Sequence, residues 1–160
     1  MNRIERPAMK SHHKLKELEI QDALIYAQAI INMVHDPVII LEDDLRVAIA
    51  NRSFYQTFEA KADQTEGEFI YDLGNRQWDI PKLRLLLEKI LPQTTSFEDF
   101  EMEHEFPLIG KKIMRLNACR IYLKVNHKKM IIITIKDITD QRKIVELQQK
   151  IKELESRSHP

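Results

Sequence analysis

Phe100-Glu101-Met102-Glu103-His104-Glu105-Phe106 alternates without a break between apolar or aromatic residues and glutamates. Successive side chains of a strand point to opposite faces, so this segment predicts a strand with Glu101, Glu103 and Glu105 on one face. Phe100, Met102, His104 and Phe106 share the other. Such a strand needs a sheet that buries one face and wets the other, which antiparallel sheets do readily and parallel sheets rarely. Two longer strands are predicted after it, over Ile113–Leu123 and Met130–Ile135, with Pro107–Lys111 and Asn126-His127-Lys128 as the connecting turns.

The rest of the chain is read around that frame. From Ser11 to about His35 there is no Gly or Pro, and Ile20, Leu24, Ala27, Ile31 and Val34 recur at helical spacing. Pro37 disfavours helix at the residue before it. Val38–Leu41 and Arg46–Ala50 read as two short strands joined at Glu42-Asp43-Asp44, and Asn51 suits a helix N-cap ahead of Phe54, Tyr55 and Phe58. Ala60 to Asp79 has no clear period and reads as short helices and loops. Pro81 opens a further helix with Leu83, Leu86, Leu87 and Ile90 on one face, and Pro92 stops it. Thr139 is placed to cap a last helix from Asp140 to about Arg157, with Ile144, Leu147, Ile151 and Leu154 as its seam. Glu146/Lys150 and Glu153/Arg157 flank that seam as Glu-first pairs one turn apart. The expected fold class is α+β: an antiparallel sheet of about five strands, small helices on one face, and amphipathic helices at both ends.

The acidic trio after Val38–Leu41 also suits a phospho-accepting receiver domain. A receiver alternates strand and helix about a parallel sheet, yet a strand follows the trio here and Asp79 follows no apolar run. The trio therefore reads as a turn. Three glycines in the chain, Gly67, Gly74 and Gly110, leave no phosphate-cradling loop. The 25 basic and 25 acidic residues cancel, so charge makes no case for nucleic acid or an anionic membrane. No apolar run approaches ~20 residues and no signal-peptide core is visible near Met1, so no membrane segment is expected. The single cysteine, Cys119, suits a reducing compartment, and the expected location is cytoplasmic. The histidines show no ligand spacing with acids or cysteine, and no metal site is expected.

The order of elements resembles a PAS domain. "PVIILEDDLRVAIAN" corresponds to its first hairpin and helix cap, and "IIITIKDITDQRK" to its last strand and exit. "YDLGNRQWDIPKLRLLLEKILP" followed by "FEDFEMEHEFPLIGKKIMRLNACRI" is similar to PAS domains of bacterial and archaeal sensor histidine kinases, in particular hybrids carrying chemotaxis methyltransferase and methylesterase domains. The resemblance spans about residues 30 to 145. It implies a sensory or signal-relay module rather than a catalyst. The implied organisation is an N-terminal helical extension over 1–35, a PAS domain over 36–139 and a signalling helix over 140–160. Asp137-Ile138-Thr139 matches the tripeptide that closes such domains and begins the output helix. A kinase or other output domain downstream is the implied partner, together with a second copy of the chain. Flavin is not expected, because Cys119 in "NACR" falls in a late strand rather than after the early ones. Haem is not expected either, since Pro81–Leu91 carries no histidine.

If a small ligand is held, the resemblance places it between sheet and helices, where His104, Trp78, Tyr71, Met102, Met114, Leu116 and Arg120 are the candidate lining. His104 and Trp78 read first as core packing, and Arg120 first as a solvated or salt-bridged cation. A ligand-free PAS adaptor is the alternative, favoured if the interior is tightly packed. His35-Asp36-Pro37 is superficially like a phosphorylated histidine motif, but the immediate proline and the strand after it argue against that. Dimerisation is expected through Ile20, Leu24, Ala27, Ile31 and Val34 mainly, with Ile144, Leu147, Ile151 and Leu154 contributing a seam of about two heptads, too short to hold alone.

Overall fold

The structure, a computed structural model, describes residues 7–124 and 126–158, and among these not the side chains of residues 7–10, Ile20 and Leu24. The chain divides into two units, one ending at His35 and the other spanning Asp36–Pro160. The first is a single helix, α1 (Pro7–Met33), one turn longer at its start than the spacing predicts. Ile20 and Leu24, two positions of its predicted stripe, lie outside the described side chains.

The second unit is built on five antiparallel strands: β1 (Val38–Glu42), β2 (Val47–Ala50), β3 (Ser96–Phe106), β4 (Gly110–Leu123) and β5 (Lys128–Asp137). Their order across the sheet is β2-β1-β5-β4-β3. The predicted α+β class and PAS-type sheet are therefore present, and a receiver's parallel sheet is not. The acidic trio is the β1–β2 corner: Leu45 takes a left-handed backbone (φ 65°) and donates to the Glu42 carbonyl at 2.9 Å. Alternation places Met102 and Phe106 on the buried face of β3, with Met114, Leu116 and Ala118 of β4 and Ile131, Ile133 and Ile135 of β5. Short helices cover this face: α2 (Arg52–Phe58), a left-handed turn α3 (Leu73–Arg76), and α4 (Pro81–Arg84).

Asn51 ties the first hairpin to α2. Its side-chain oxygen accepts the N–H groups of Phe54 (3.0 Å) and Val38 (2.8 Å), while its amide donates to the Asp36 carbonyl (3.0 Å). The predicted cap is thus also a cross-link between two elements.

Three local expectations change. The helix opened by Pro81 widens into a π turn over Leu85–Ile90 and tightens into a 3₁₀ turn over Leu91–Gln93. Periodicity gives the buried Leu83, Leu86 and Leu87 but not the inserted residue. β3 begins at Ser96 rather than Phe100, across a bulge between Phe97 and Phe100. At that bulge Asp99 is left-handed (φ 56°) and donates its N–H to the Asn117 side chain at 2.9 Å. Finally, Thr139 does not cap α5 (Thr139–Arg157): it is the helix's first residue, Ile138 stands at the N-cap position, and the Thr139 N–H is taken by the Asp137 side chain. The Thr139 hydroxyl is engaged by β4 and Asp137 instead.

Candidate functional site

At the junction of β5 and α5, Asp137-Ile138-Thr139 is fixed to β4. The Ile138 N–H donates to the Ile113 carbonyl at 2.9 Å, and the Ile113 N–H donates to the Thr139 hydroxyl oxygen at 3.0 Å. The Thr139 hydroxyl and N–H both donate to Asp137, and the Lys112 ammonium lies 3.0 Å from the same carboxylate. Burial pushes the Asp137 carboxyl up, but the Thr139 hydrogen bonds and Lys112 together hold it below its ordinary value. The exit tripeptide is locked through backbone and side chains alike.

A second tie reaches further along α5. Arg142 donates to both oxygens of Glu101 on β3 at 2.7 Å, and Arg115, directly across the ladder, donates to one of them at 3.2 Å. These two guanidiniums hold the Glu101 carboxyl below its usual range. Among three glutamates on one strand face, nothing in the strand's own pattern singles out Glu101. Its signal is cross-strand register with Arg115, which becomes readable only once the β3–β4 turn is placed.

Beyond its root, α5 leaves its seam exposed: Ile144, Leu147, Ile151 and Leu154 are 54–64% accessible. On α1, Ala27 is exposed and Ile31 half-buried, and Val34, just past its end, is exposed. Apolar exposure on α1 extends past the predicted stripe to Leu18, Ile25, Tyr26, Ile30 and Met33. Among the described residues, no helix is long and apolar enough to cross a membrane.

The candidate lining residues separate into groups. Tyr71, Met102, Met114 and Leu116 are each at most 1% exposed and belong to one core cluster with Trp78. His104 is half-buried and meets Phe106 edge-on, with ring centroids 4.7 Å apart. Arg120 stands elsewhere and donates to the carbonyls of Leu91 and Pro92 at 3.3 Å each. Its guanidinium thus meets the end of the helical run that starts at Pro81.

Around Tyr71 lies a polar group that sequence reading passed over. The Arg84 guanidinium sits 4.0 Å above the Tyr71 ring, and Arg84 and Arg76 grip Asp79 at 2.6 and 2.7 Å. Hydrogen bonds from Arg84 and then Arg76 hold the Asp79 carboxyl down at about 2. Burial, then Glu88, push the Tyr71 phenol up to about 12. Its hydroxyl is buried with no hydrogen-bond partner among the described residues.

Trp78, only 5% exposed, anchors an aromatic cluster with Phe58 (4.8 Å between centroids), Phe106 (5.4 Å) and Phe54 (5.5 Å). These rings form the wall of a cleft of about 170 Å³. Among the described residues, no group of side chains assembles that could hold a metal ion.

The model of the PAS fold family matches residues 26–138, well over half of the chain, and the chain belongs to that family. Among solved structures it is similar to the PAS domain of Bordetella pertussis BvgS, at 20% identity and a TM-score of 0.57, covering 82% of this chain and 98% of that one. It is also similar to the PAS domain of nitrogen regulation protein NR(II) from Vibrio parahaemolyticus. There the identity is 17% and the TM-score 0.54, over 70% of this chain and 97% of that one. Histidine kinase ThkA, solved in complex with response regulator protein TrrA, matches at 19% identity with a TM-score of 0.61. That match covers 79% of this chain and 36% of the kinase. No curated protein sequence matches the chain. At these identities the likenesses establish the fold.

Proposed function

We propose that this PAS domain is a sensory relay module of a cytoplasmic two-component sensor kinase, which pairs through its terminal helices and passes strain to an output domain beyond α5. The observation that carries this reading is the contrast within α5. Its root is bound to β3, β4 and β5 through Glu101, Ile113 and Asp137, while the seam beyond the root is apolar and exposed. A displacement of the sheet must move such a helix, and a seam of this kind gains stability by meeting another helix. The resemblance of "YDLGNRQWDIPKLRLLLEKILP" and "FEDFEMEHEFPLIGKKIMRLNACRI" supports a parent kinase of the hybrid type with chemotaxis methyltransferase and methylesterase domains.

Sedimentation of the wild type should give a dimer. Leu24→Glu with Ile31→Glu should give monomers, and Ile144→Glu with Ile151→Glu should weaken the dimer less. A dimer unchanged by both pairs would end the terminal-helix model.

A ligand-free relay is the second reading, and the packed interior favours it. Tyr71, Met102, Met114 and Leu116 fill the space between sheet and helices with side chains that are almost wholly buried. A native mass spectrum of the purified protein separates the two: a discrete added mass supports a held ligand, and a bare dimer supports the relay.

A further inference from the structure

The interior beneath the helices is full, but one end of the aromatic cluster is open. The cleft of about 170 Å³ is floored by Phe54, Trp78 and Phe106, with Phe58 beside them and Leu108 at the rim. An apolar cavity of ~150 Å³ is large enough for a benzene ring, so this one holds a single ring with a small substituent.

Three further features give the cleft a built character. Gly74 in its wall, and Asn75 and Arg76 that follow it, are all left-handed (φ 58°, 57° and 67°). A left-handed residue other than glycine costs roughly 1–2 kcal/mol, and such strain is retained where a geometry is needed. The turn brings the Gln77 amide over Gly74 so closely that a Cβ there would meet Gln77 Nε2 at 2.8 Å. The polar rim consists of two amides, Gln64 and Gln77, and one charge of each sign, Glu59 and Lys61. Opposite charges favour neither an anion nor a cation, whereas amides hydrogen-bond a neutral hydroxyl in either direction.

We propose that this cleft is a binding site for a small neutral one-ring aromatic molecule carrying a hydrogen-bonding group, a phenol in its simplest form, with its ring on Trp78 and Phe58 and its polar group at Gln77. Of the seven lining residues expected from sequence, Trp78 alone contributes to it. Occupancy does not depend on dimerisation or on relay through α5, so binding and association are measured independently.

Trp78 is the only tryptophan of the chain, and its fluorescence reports the cleft directly. The probe is para-fluorophenol, followed by fluorine NMR and by Trp78 emission excited at the red edge of the indole band. Saturable broadening of the probe signal is expected, with a dissociation constant on the order of 1 mM or tighter. Gln77→Ala should weaken binding about five- to tenfold. Leu108→Tyr, a change at a side chain 70% exposed, should block the cleft without unfolding the domain and abolish saturation. Strictly linear, collisional quenching of Trp78 in the wild type would overturn the proposal. So would saturation that survives Leu108→Tyr, because the probe would then sit elsewhere.

Discussion

Arg142, in the first turn of α5, donates to both carboxylate oxygens of Glu101 on β3 at 2.7 Å, joining residues 41 positions apart. With Arg115 on the same carboxylate, the edge strand of the sheet is tied to the first turn of α5. Glu101→Gln keeps the shape and removes the charge. Amide exchange in the first turns of α5 should then accelerate while β4 and β5 stay protected. Raised salt should reproduce part of that change in the wild type, since partly exposed ion pairs are screened. Equal acceleration throughout the sheet would mean that Glu101 only supports the fold.

Asn51 is fully buried, and its side chain hydrogen-bonds Val38, Phe54 and Asp36. Asn51→Ala removes a helix cap and leaves buried backbone groups unmatched, for a loss of about 3 kcal/mol. Urea unfolding should show a lower midpoint with an unchanged slope.

Asp79 gives the domain a defined acid sensitivity. Its carboxyl falls from 3.8 to about 2 through Arg84 and Arg76. A carboxylate whose folded pKa is depressed stabilises the fold above its unfolded value and loses that contribution as pH falls through the folded value. Thermal melts should therefore weaken between pH 3.8 and about 2, and Asp79→Asn should remove that part of the decline while lowering stability at neutral pH.

Leu116 and Leu154 are the same residue type in opposite settings, 0% and 64% exposed. Leu116→Ala should cost about 2–5 kcal/mol. Leu154→Ala should leave monomer stability within about 0.5 kcal/mol and act on association alone. Denaturation at two protein concentrations distinguishes these effects.

Where periodicity carries the information, the sequence reading holds. Alternation in Phe100–Phe106 and the β-branched run of β5 follow from burial of one face, so the sheet was legible, and the helical spacing of α5 was legible although its seam is exposed. The Asn51 cap was legible because its chemistry is local. Asp137-Ile138-Thr139 lies where β5 meets α5, but the Thr139 hydroxyl accepts from the Ile113 N–H of β4, a long-range donor that no local pattern shows. The aromatic cleft was only partly visible. Trp78 could be named, whereas the left-handed turn at Gly74–Arg76 depends on tertiary packing that no local pattern encodes in Asn75 or Arg76. Arg120 shows the converse: it could be named as a candidate lining residue, but not its partners, the Leu91 and Pro92 carbonyls.

The π turn at Leu85–Ile90 works as a phase absorber. Each residue of a regular α-helix advances the chain by about 100°, and the wide turn takes up one extra residue without passing that rotation on. Removing one residue there and restoring α geometry would leave Leu91 in the core and the two carbonyls that hold Arg120 facing β4. The same deletion in the α turn over Pro81–Arg84 would rotate everything after it, so two cuts a few residues apart differ between a shortening and a turned wall.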